Sequence, residues 1–310
     1  MKLSIIIPCY NEEEVLLHTY SRVNNTILSL SKSKLITNYE IIFVNDASID
    51  STEMKLRSFT ISEHTKLLNL NSNSGHQAAM LAGIEYATGD AIISMDADLQ
   101  DSPEYFEEFI KEYKKGNDVV IGIWNNREIE SPVKRFFAIN FYRVAKLLGV
   151  PGKQNAGDYR LISKAVQKSL LQYPERNLYL RGLIPSMKFK TSTIIYKRAP
   201  RAAGVTKYPF SKSLNLAIDG ITSFSIRPLR LVGIVGMIMF IISILTVLAL
   251  LYLRLFTGLA IQGWTTIMVA VILLQSINFI FLAVIGEYLG KTYIETKQRP
   301  RYVIKDKVNF

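Results

Sequence analysis

Four acidic or amide side chains crowd into the run Asp96-Ala97-Asp98-Leu99-Gln100-Asp101, directly after the apolar stretch that ends at Met95. The Asp-Ala-Asp step places two carboxylates at i and i+2, on one side of an extended segment. Carboxylates that close repel unless a cation lies between them, and hard oxygen donors select Mg²⁺ or Mn²⁺. Mg²⁺ held by one or two carboxylates completes its shell with water and phosphate oxygens, so the pattern predicts a diphosphate-containing substrate. Neither G-x-x-x-x-G-K-[ST] nor G-x-G-x-x-G occurs, which excludes a P-loop or a dinucleotide turn as the phosphate holder. A lone D-x-D also suits a solvated loop. What favours the functional reading is its place after an apolar run, with Asp46 ending another such run in the same way.

The elements that must carry these residues alternate. Leu3–Ile7, Glu40–Val44, Lys66–Leu70, Ala91–Met95 and Asp118–Ile121 read as short buried strands. Between them, Glu12–Leu30 places Leu16, Tyr20, Val23, Ile27 and Leu30 at helical spacing, and Ser51–Phe59, Gly75–Ala87 and Pro103–Lys115 also read as helices. Strand-helix alternation predicts βαβ units and an α/β, Rossmann-like domain with a mostly parallel sheet. Ligands bind such sheets at the carboxyl ends of the strands, where Pro8, Tyr10, Asn11, Glu12, Asn45, Asp46, Asp96, Asp98 and Gln100 fall.

The 310 residues carry a net charge of +11 and are 49% hydrophobic, but both averages conceal a division. Residues 1–130 hold 20 acidic and 11 basic side chains, whereas residues 131–230 hold 3 and 19. A uniformly basic surface suits nucleic acid; an acidic half followed by a basic one suggests a metal site beside an anion or membrane-facing site. Leu231–Leu253 is 23 residues without a charge, and Gly263–Gly286 is a second uncharged run. Each suffices for one bilayer crossing. Arg227, Arg230, Lys291, Lys297, Arg299, Arg301, Lys305 and Lys307 flank the pair outside, so both termini are expected on the cytoplasmic side. The apolar run before Pro8 is too short for a signal peptide, and Cys9, the single cysteine, cannot form an internal disulfide. Phe210–Arg227 presents one apolar face and fits a helix lying in the membrane interface. The expected organisation is a catalytic domain over 1–209, an interfacial helix over 210–228, a two-span hairpin over 229–288 and a basic cytoplasmic tail over 289–310.

Pro8-Cys9-Tyr10-Asn11-Glu12-Glu13, Asn45-Asp46-Ala47-Ser48, Gly75-His76-Gln77-Ala78-Ala79, the Asp96–Asp101 run, Gly157-Asp158-Tyr159-Arg160-Leu161, Pro174-Glu175-Arg176-Asn177 and Gly286-Glu287-Tyr288 follow one another in order. This ordered set resembles the family 2 glycosyltransferases that charge a polyprenyl phosphate, the bactoprenol glucosyltransferase group related to dolichol-phosphate mannosyltransferases. The resemblance implies a GT-A type fold and transfer of a hexose, most commonly glucose from UDP-glucose, to undecaprenyl phosphate with inversion at the anomeric carbon. It implies that Pro8, Tyr10, Asn11, Glu12, Asp46, His76 and Asp96 hold the nucleotide donor. Asp96, Asp98 and Gln100 would carry Mg²⁺ or Mn²⁺ on the diphosphate, a Lewis acid for the leaving group. It also makes Asp158 the candidate base, although a phosphate monoester with a second pKa of ~6 hardly needs one; orienting Arg160 or the acceptor is the alternative. The family's usual Asp-Asp-Gly-Ser stands here as Asn45-Asp46-Ala47-Ser48, losing one carboxylate and one glycine.

The acceptor phosphate is assigned to the basic segment, with Arg135, Arg160, Arg181, Arg201 and Lys207 as candidates. The expected partners are a nucleotide diphosphate sugar, a polyprenyl phosphate and the inner-membrane bilayer, without nucleic acid; a homo-oligomer is left open. Two other readings stay in view. A processive polysaccharide synthase normally needs a Gln-x-x-Arg-Trp motif, and Leu178-Tyr179-Leu180-Arg181-Gly182 lacks the Trp. A non-catalytic membrane scaffold would be favoured by loss of the metal carboxylates, which are present.

Overall fold

The computed structural model describes residues 1–125, 155–176, 179–199, 222, 225–256 and 263–310. Its sheet is built from β1 (Lys2–Cys9), β2 (Asn38–Asn45), β3 (Thr65–Leu70), β4 (Ala91–Ser94), β5 (Val119–Trp124), β6 (Ala156–Ser163), β7 (Thr191–Tyr196) and β8 (Ile304–Val308). They lie in the order β7-β5-β6-β4-β1-β2-β3-β8. The β1–β2, β1–β4, β2–β3 and β5–β7 pairs are parallel, whereas β6 runs antiparallel to β4 and β5, and β8 antiparallel to β3.

Alternation along β1 divides the core. Leu3, Ile5 and Ile7 face one layer with α1 (Leu16–Lys32), α2 (Thr52–Phe59) and α4 (Phe106–Lys114), through Val23, Ile27, Leu56 and Phe109. Ile6 faces the other with α3 (His76–Tyr86), α5 (Lys164–Leu171) and α6 (Leu180–Ser186), through Met80, Val166 and Leu183. α3 lies so close to the sheet that a Cβ on Gly83 would collide with Ile6 Cγ2 and reach 3.1 Å from Val44 Cγ2. Pro8 survives in this central strand because Ile6 O accepts from Met95 N and Pro8, two residues on, faces the same way, past the end of β4.

The alternating pattern predicts the first five strands and four helices to within a few residues, the fourth helix opening with a 3₁₀ turn at Pro103–Tyr105. It does not predict β6, β7 or β8. β6 takes in the whole Gly157-Asp158-Tyr159-Arg160-Leu161 motif, starting one residue before it at Ala156. The segment read as a basic tail ends in β8 and covers the free edge of β3. Asp306 of β8 binds Arg57 at 2.7 Å and accepts from Asn69 Nδ2 at 2.9 Å, and Asn309 Nδ2 donates to Thr65 O at 2.9 Å.

Two long helices lie between β7 and β8 in the chain, α7 (Arg227–Phe256) and α8 (Trp264–Thr296). Both are long and apolar enough to cross a membrane, and side chains such as Ile234, Met237, Phe240, Phe279 and Ile280 are exposed on them. A core helix of a soluble domain would bury such residues. α8 is tied back to the domain, where its Glu295 carboxylate accepts from Arg176 N at 2.8 Å. The expected interfacial helix over 210–228 lies almost wholly outside the described residues.

At the amino ends of the strands, Glu40 is a buried carboxylate that accepts from Ser4 Oγ at 2.6 Å and Thr88 N at 2.7 Å and pairs with Lys2 and Lys66 at 3.1 and 3.0 Å. Burial alone would raise its pKa, but the bonds from Ser4, Thr88 and Lys66 win and hold it at about 2. A depressed carboxylate stabilises the fold above its unfolded pKa, near 4.5, and that contribution vanishes as pH falls through about 2. Glu40→Gln is expected to remove the pH dependence in this window. Stripping its charge also costs roughly 2–4 kcal/mol, at the lower side of buried-pair values because both lysines reach solvent. Urea unfolding at pH 7 and pH 3 measures both effects, and parallel wild-type and variant curves would contradict the assignment.

Candidate functional site

The loops after β1 and β2 are sewn together. Asn11 N donates to Ser48 Oγ at 3.0 Å, its Oδ1 accepts from Ile49 N at 2.9 Å, and Glu12 N donates to Thr52 Oγ1 at 2.9 Å. Tyr10 projects from this seam and is 39% exposed. Asp46 turns inward: its two oxygens accept from Ser74 N at 2.7 Å and Gly75 N at 3.0 Å, and burial raises its pKa. These bonds fix the turn that opens α3. Asn45 uses a property that aspartate lacks, donating from Nδ2 to Asn69 Oδ1 at 3.0 Å. Ala47 adopts φ +54° where the family's glycine would rest without strain.

After β4 the chain turns sharply. Leu99 adopts φ +57°, and Gln100 N donates to Asp98 Oδ1 at 3.1 Å. Asp96 Oδ1 is buried and accepts no hydrogen bond among the described residues; His76 Nε2 lies 3.5 Å from it. Among the described residues no cluster of three His, Cys, Asp or Glu side chains forms a metal cage. A hard cation that takes most of its shell from phosphate oxygens and water needs no such cage, and an unsatisfied Asp96 oxygen beside Asp98 and Gln100 fits one. Asp101, not assigned from the sequence, is buried and bonded by Tyr196 Oη; burial and the charge of Asp96 lift its pKa to about 7. Arg198 Nε stands 3.8 Å from Asp101, and Ala199 N bonds Gln100 O at 3.0 Å, so the end of β7 braces this acidic loop.

Because β6 is antiparallel, with Arg160 opposite Ser94, Asp158 comes level with the chain just beyond β4, and Ser94 Oγ donates to its carbonyl oxygen at 2.5 Å. The Asp158 side chain is 2% exposed. Its Oδ1 pairs with Arg160 at 2.8 Å, and its Oδ2 meets Arg181 at 2.8 Å, His76 Nε2 at 3.2 Å and Gln77 Nε2 at 3.2 Å. Burial opposes the charge of Asp158, yet Arg181, His76 and Arg160 hold its pKa well below the carboxylate range. Such a group is a poor base. His76 is driven the other way: burial would lower its pKa, but the bond to Asp158 and the charge of Asp96 raise it to about 9. At neutral pH it is therefore a cation and donor. Arg160, expected at the acceptor phosphate, is 5% exposed and spends its guanidinium on Leu180 O, Gly157 O and Asp158. It tethers Asp158 to the start of α6. Arg181 stays 33% exposed and faces out. Arg135, Arg201 and Lys207 lie outside the described residues.

A sheet whose carboxyl edge carries an acidic loop beside a clamped cation pair has the chemistry of a site for phosphorylated ligands. The chain belongs to glycosyl transferase family 2, whose family model matches residues 4–170. It is a glycosyltransferase with the GT-A type α/β fold. It is 39% identical over 307 residues to an uncharacterized glycosyltransferase of Bacillus subtilis (strain 168), spanning 98% of this chain and 94% of that one. It is 35% identical over 308 residues to the bactoprenol glucosyl transferase of Shigella phage SfV, spanning 99% of both. A solved mannosyltransferase from Pyrobaculum calidifontis, in complex with GDP-Man and Mn2+, aligns with a TM-score of 0.46 at 17% identity over 65% of this chain and 58% of that one.

Three outcomes test this geometry. Ala47→Gly relieves a left-handed alanine and is expected to raise stability by about 1 kcal/mol, seen as a higher unfolding midpoint. Asp158→Ala leaves Arg160 buried without its charge partner and is expected to cost roughly 3–5 kcal/mol. Asp158 should also add no acidic limb to the kcat–pH profile above pH 5; a limb that disappears in Asp158→Asn would restore the base.

Proposed function

We propose that the protein is an inverting glycosyltransferase that moves a hexose, glucose in the first instance, from UDP-glucose to undecaprenyl phosphate at the cytoplasmic face of the membrane. One observation carries this reading. The orphaned Asp96 oxygen of the acidic loop and the outward Arg181–His76 pair share one strand edge, in a chain that matches a bactoprenol glucosyl transferase from end to end.

Tyr10, Asn11 and Glu12 receive the nucleoside, with Pro8 and Asp46 shaping the wall beneath them. Asp96, Asp98 and Gln100 hold Mg²⁺ or Mn²⁺, which when bound supplies Lewis-acid neutralisation of the departing diphosphate. A phosphate oxygen of the acceptor attacks the anomeric carbon as the bond from that carbon to the nucleoside diphosphate breaks on the opposite side. The acceptor arrives without a proton to remove, since its second pKa is ~6. Asp158 is thereby free to act as an anchor, and Arg181 with protonated His76 offers charge-assisted donors to the phosphates. Arg135, Arg201 and Lys207 are assigned to the acceptor phosphate on their residue type and sequence context alone. The α7–α8 hairpin spans the bilayer, its arginine and lysine flanks keeping both termini in the cytoplasm.

The test is purified full-length protein, undecaprenyl phosphate, a panel of radiolabelled nucleotide sugars and Mg²⁺ or Mn²⁺. UDP-glucose is expected to label the lipid fraction, and EDTA to abolish labelling. Asp98→Ala should lower turnover by roughly 100-fold or more while the protein still inserts into membranes. Absence of lipid labelling by any sugar overturns the reading; near-normal turnover in Asp98→Ala refutes the metal assignment alone.

A further inference from the structure

Gln77 belongs to no role assigned so far, yet it joins α3 both to Asp158 and to the start of α6. Its Nε2 donates to Asp158 Oδ2 at 3.2 Å, and its Oε1 accepts from Leu180 N at 3.0 Å. Leu180 is the first residue of α6, and the residue before it, Tyr179, provides no side-chain cap for the helix. The amide from α3 thus takes up one of the N–H groups that a helix start leaves unsatisfied. The carbonyl of the same residue accepts from Arg160 Nη1 at 3.0 Å, and Arg160 is itself bonded to Asp158. Leu180 is therefore gripped at both backbone polar groups by side chains rooted on Asp158. The next residue is Arg181, whose guanidinium returns to that same carboxylate through Nε at 3.1 Å and Nη2 at 2.8 Å.

We infer that Gln77 is a positioning residue that holds the first turn of α6 so that Arg181 presents its guanidinium to the acceptor phosphate. The inference rests on the acceptor role proposed for Arg181. The side-chain type is dictated at both ends: a carboxylate needs a donor and a backbone N–H needs an acceptor, and one amide supplies both. Glutamate would set a second carboxylate against Asp158. Methionine fills the same volume but bonds neither partner, and asparagine is a methylene too short to span them. Without the amide, Leu180 loses one of the two grips on its backbone, and the directed charge-assisted contact of the next residue, Arg181, becomes a loosely aimed one.

The experiment measures binding of undecaprenyl phosphate and of UDP to the full-length protein in detergent, for wild type, Gln77→Met, Gln77→Asn, Arg181→Ala and Gln77→Met/Arg181→Ala. Gln77→Met and Gln77→Asn are expected to weaken lipid-phosphate binding by about tenfold or more and leave UDP binding within about twofold. The double variant should bind the lipid no more weakly than Arg181→Ala, because both changes remove one contact. Should methionine disturb the fold, the asparagine variant carries the comparison. Wild-type lipid affinity in the Gln77 variants, alongside a loss in Arg181→Ala, overturns the inference, as do two losses that add in full. If Arg181→Ala itself leaves lipid binding intact, the acceptor role of Arg181 is what fails.

Discussion

Asp158 sets one buried carboxylate against two guanidinium groups and an imidazole, and the rest of the site is arranged around that constraint. A lone carboxylate at 2% exposure would be neutralised by protonation, because desolvation of the charged form outweighs any weak attraction. Arg160 prevents this from below, where it is enclosed, and Arg181 and His76 do so from the side that opens outward. With His76 protonated, three cations face one anion, so the cluster exports positive charge. Asp96 offsets part of it at 3.5 Å from His76. The outward face is therefore electropositive and pre-organised, and it lies beside a loop whose own chemistry is acidic. Phosphate ligands fit the first and a cation that bridges to phosphate fits the second.

That juxtaposition depends on strand direction. Had β6 run parallel to β4, Asp158 would sit at the amino end of the sheet, a sheet's length from Asp96. The antiparallel register, Ser94 opposite Arg160, brings it to the carboxyl end. Little of this is legible in the sequence. The βαβ alternation of residues 1–121 is plain because each buried parallel strand reads as an uninterrupted apolar run between amphipathic helices. β6 is masked by Asp158 and Arg160, whose charges break the apolar pattern yet are buried because they neutralise each other. β7 alternates exposed and buried residues in a segment rich in threonine, and β8 carries charge at Lys305, Asp306 and Lys307, as an edge strand does.

Local features were legible to the extent that they depend on residue type. The acidic run does follow β4, and a glycine-to-alanine departure at position 47 does fall on a backbone that favours glycine. Roles that depend on which neighbour takes a polar group were not. Asp46 spends its oxygens on the backbone of Ser74 and Gly75, Arg160 spends its nitrogens on Asp158 and two carbonyls, and Asp101 is satisfied by Tyr196 from a strand that no periodicity announced. Each of these is a question of hydrogen-bond satisfaction in the folded chain, for which a linear pattern holds no information.

The substitution of Asn45 for the family's aspartate shows how such partners reach across the molecule. An aspartate there would face Asn69 Oδ1 with a second acceptor; the asparagine donates to it, and Asn69 Nδ2 then donates to Asp306 in β8. The donor-side loop is thus bonded through two amides to the strand that follows α8. Val303 O accepts from Asn71 N at 2.8 Å, gripping the turn between β3 and α3 that delivers His76 and Gln77. The last ten residues therefore brace the same loops that hold Asp46 and the Asp158 cluster. Helix α8 is fastened at Glu295 just before them. The function proposed, joining a soluble nucleotide sugar to a membrane-bound phosphate, requires the reacting face to be fixed relative to the apolar helices, and this clasp ties the β8 edge of the sheet to α8.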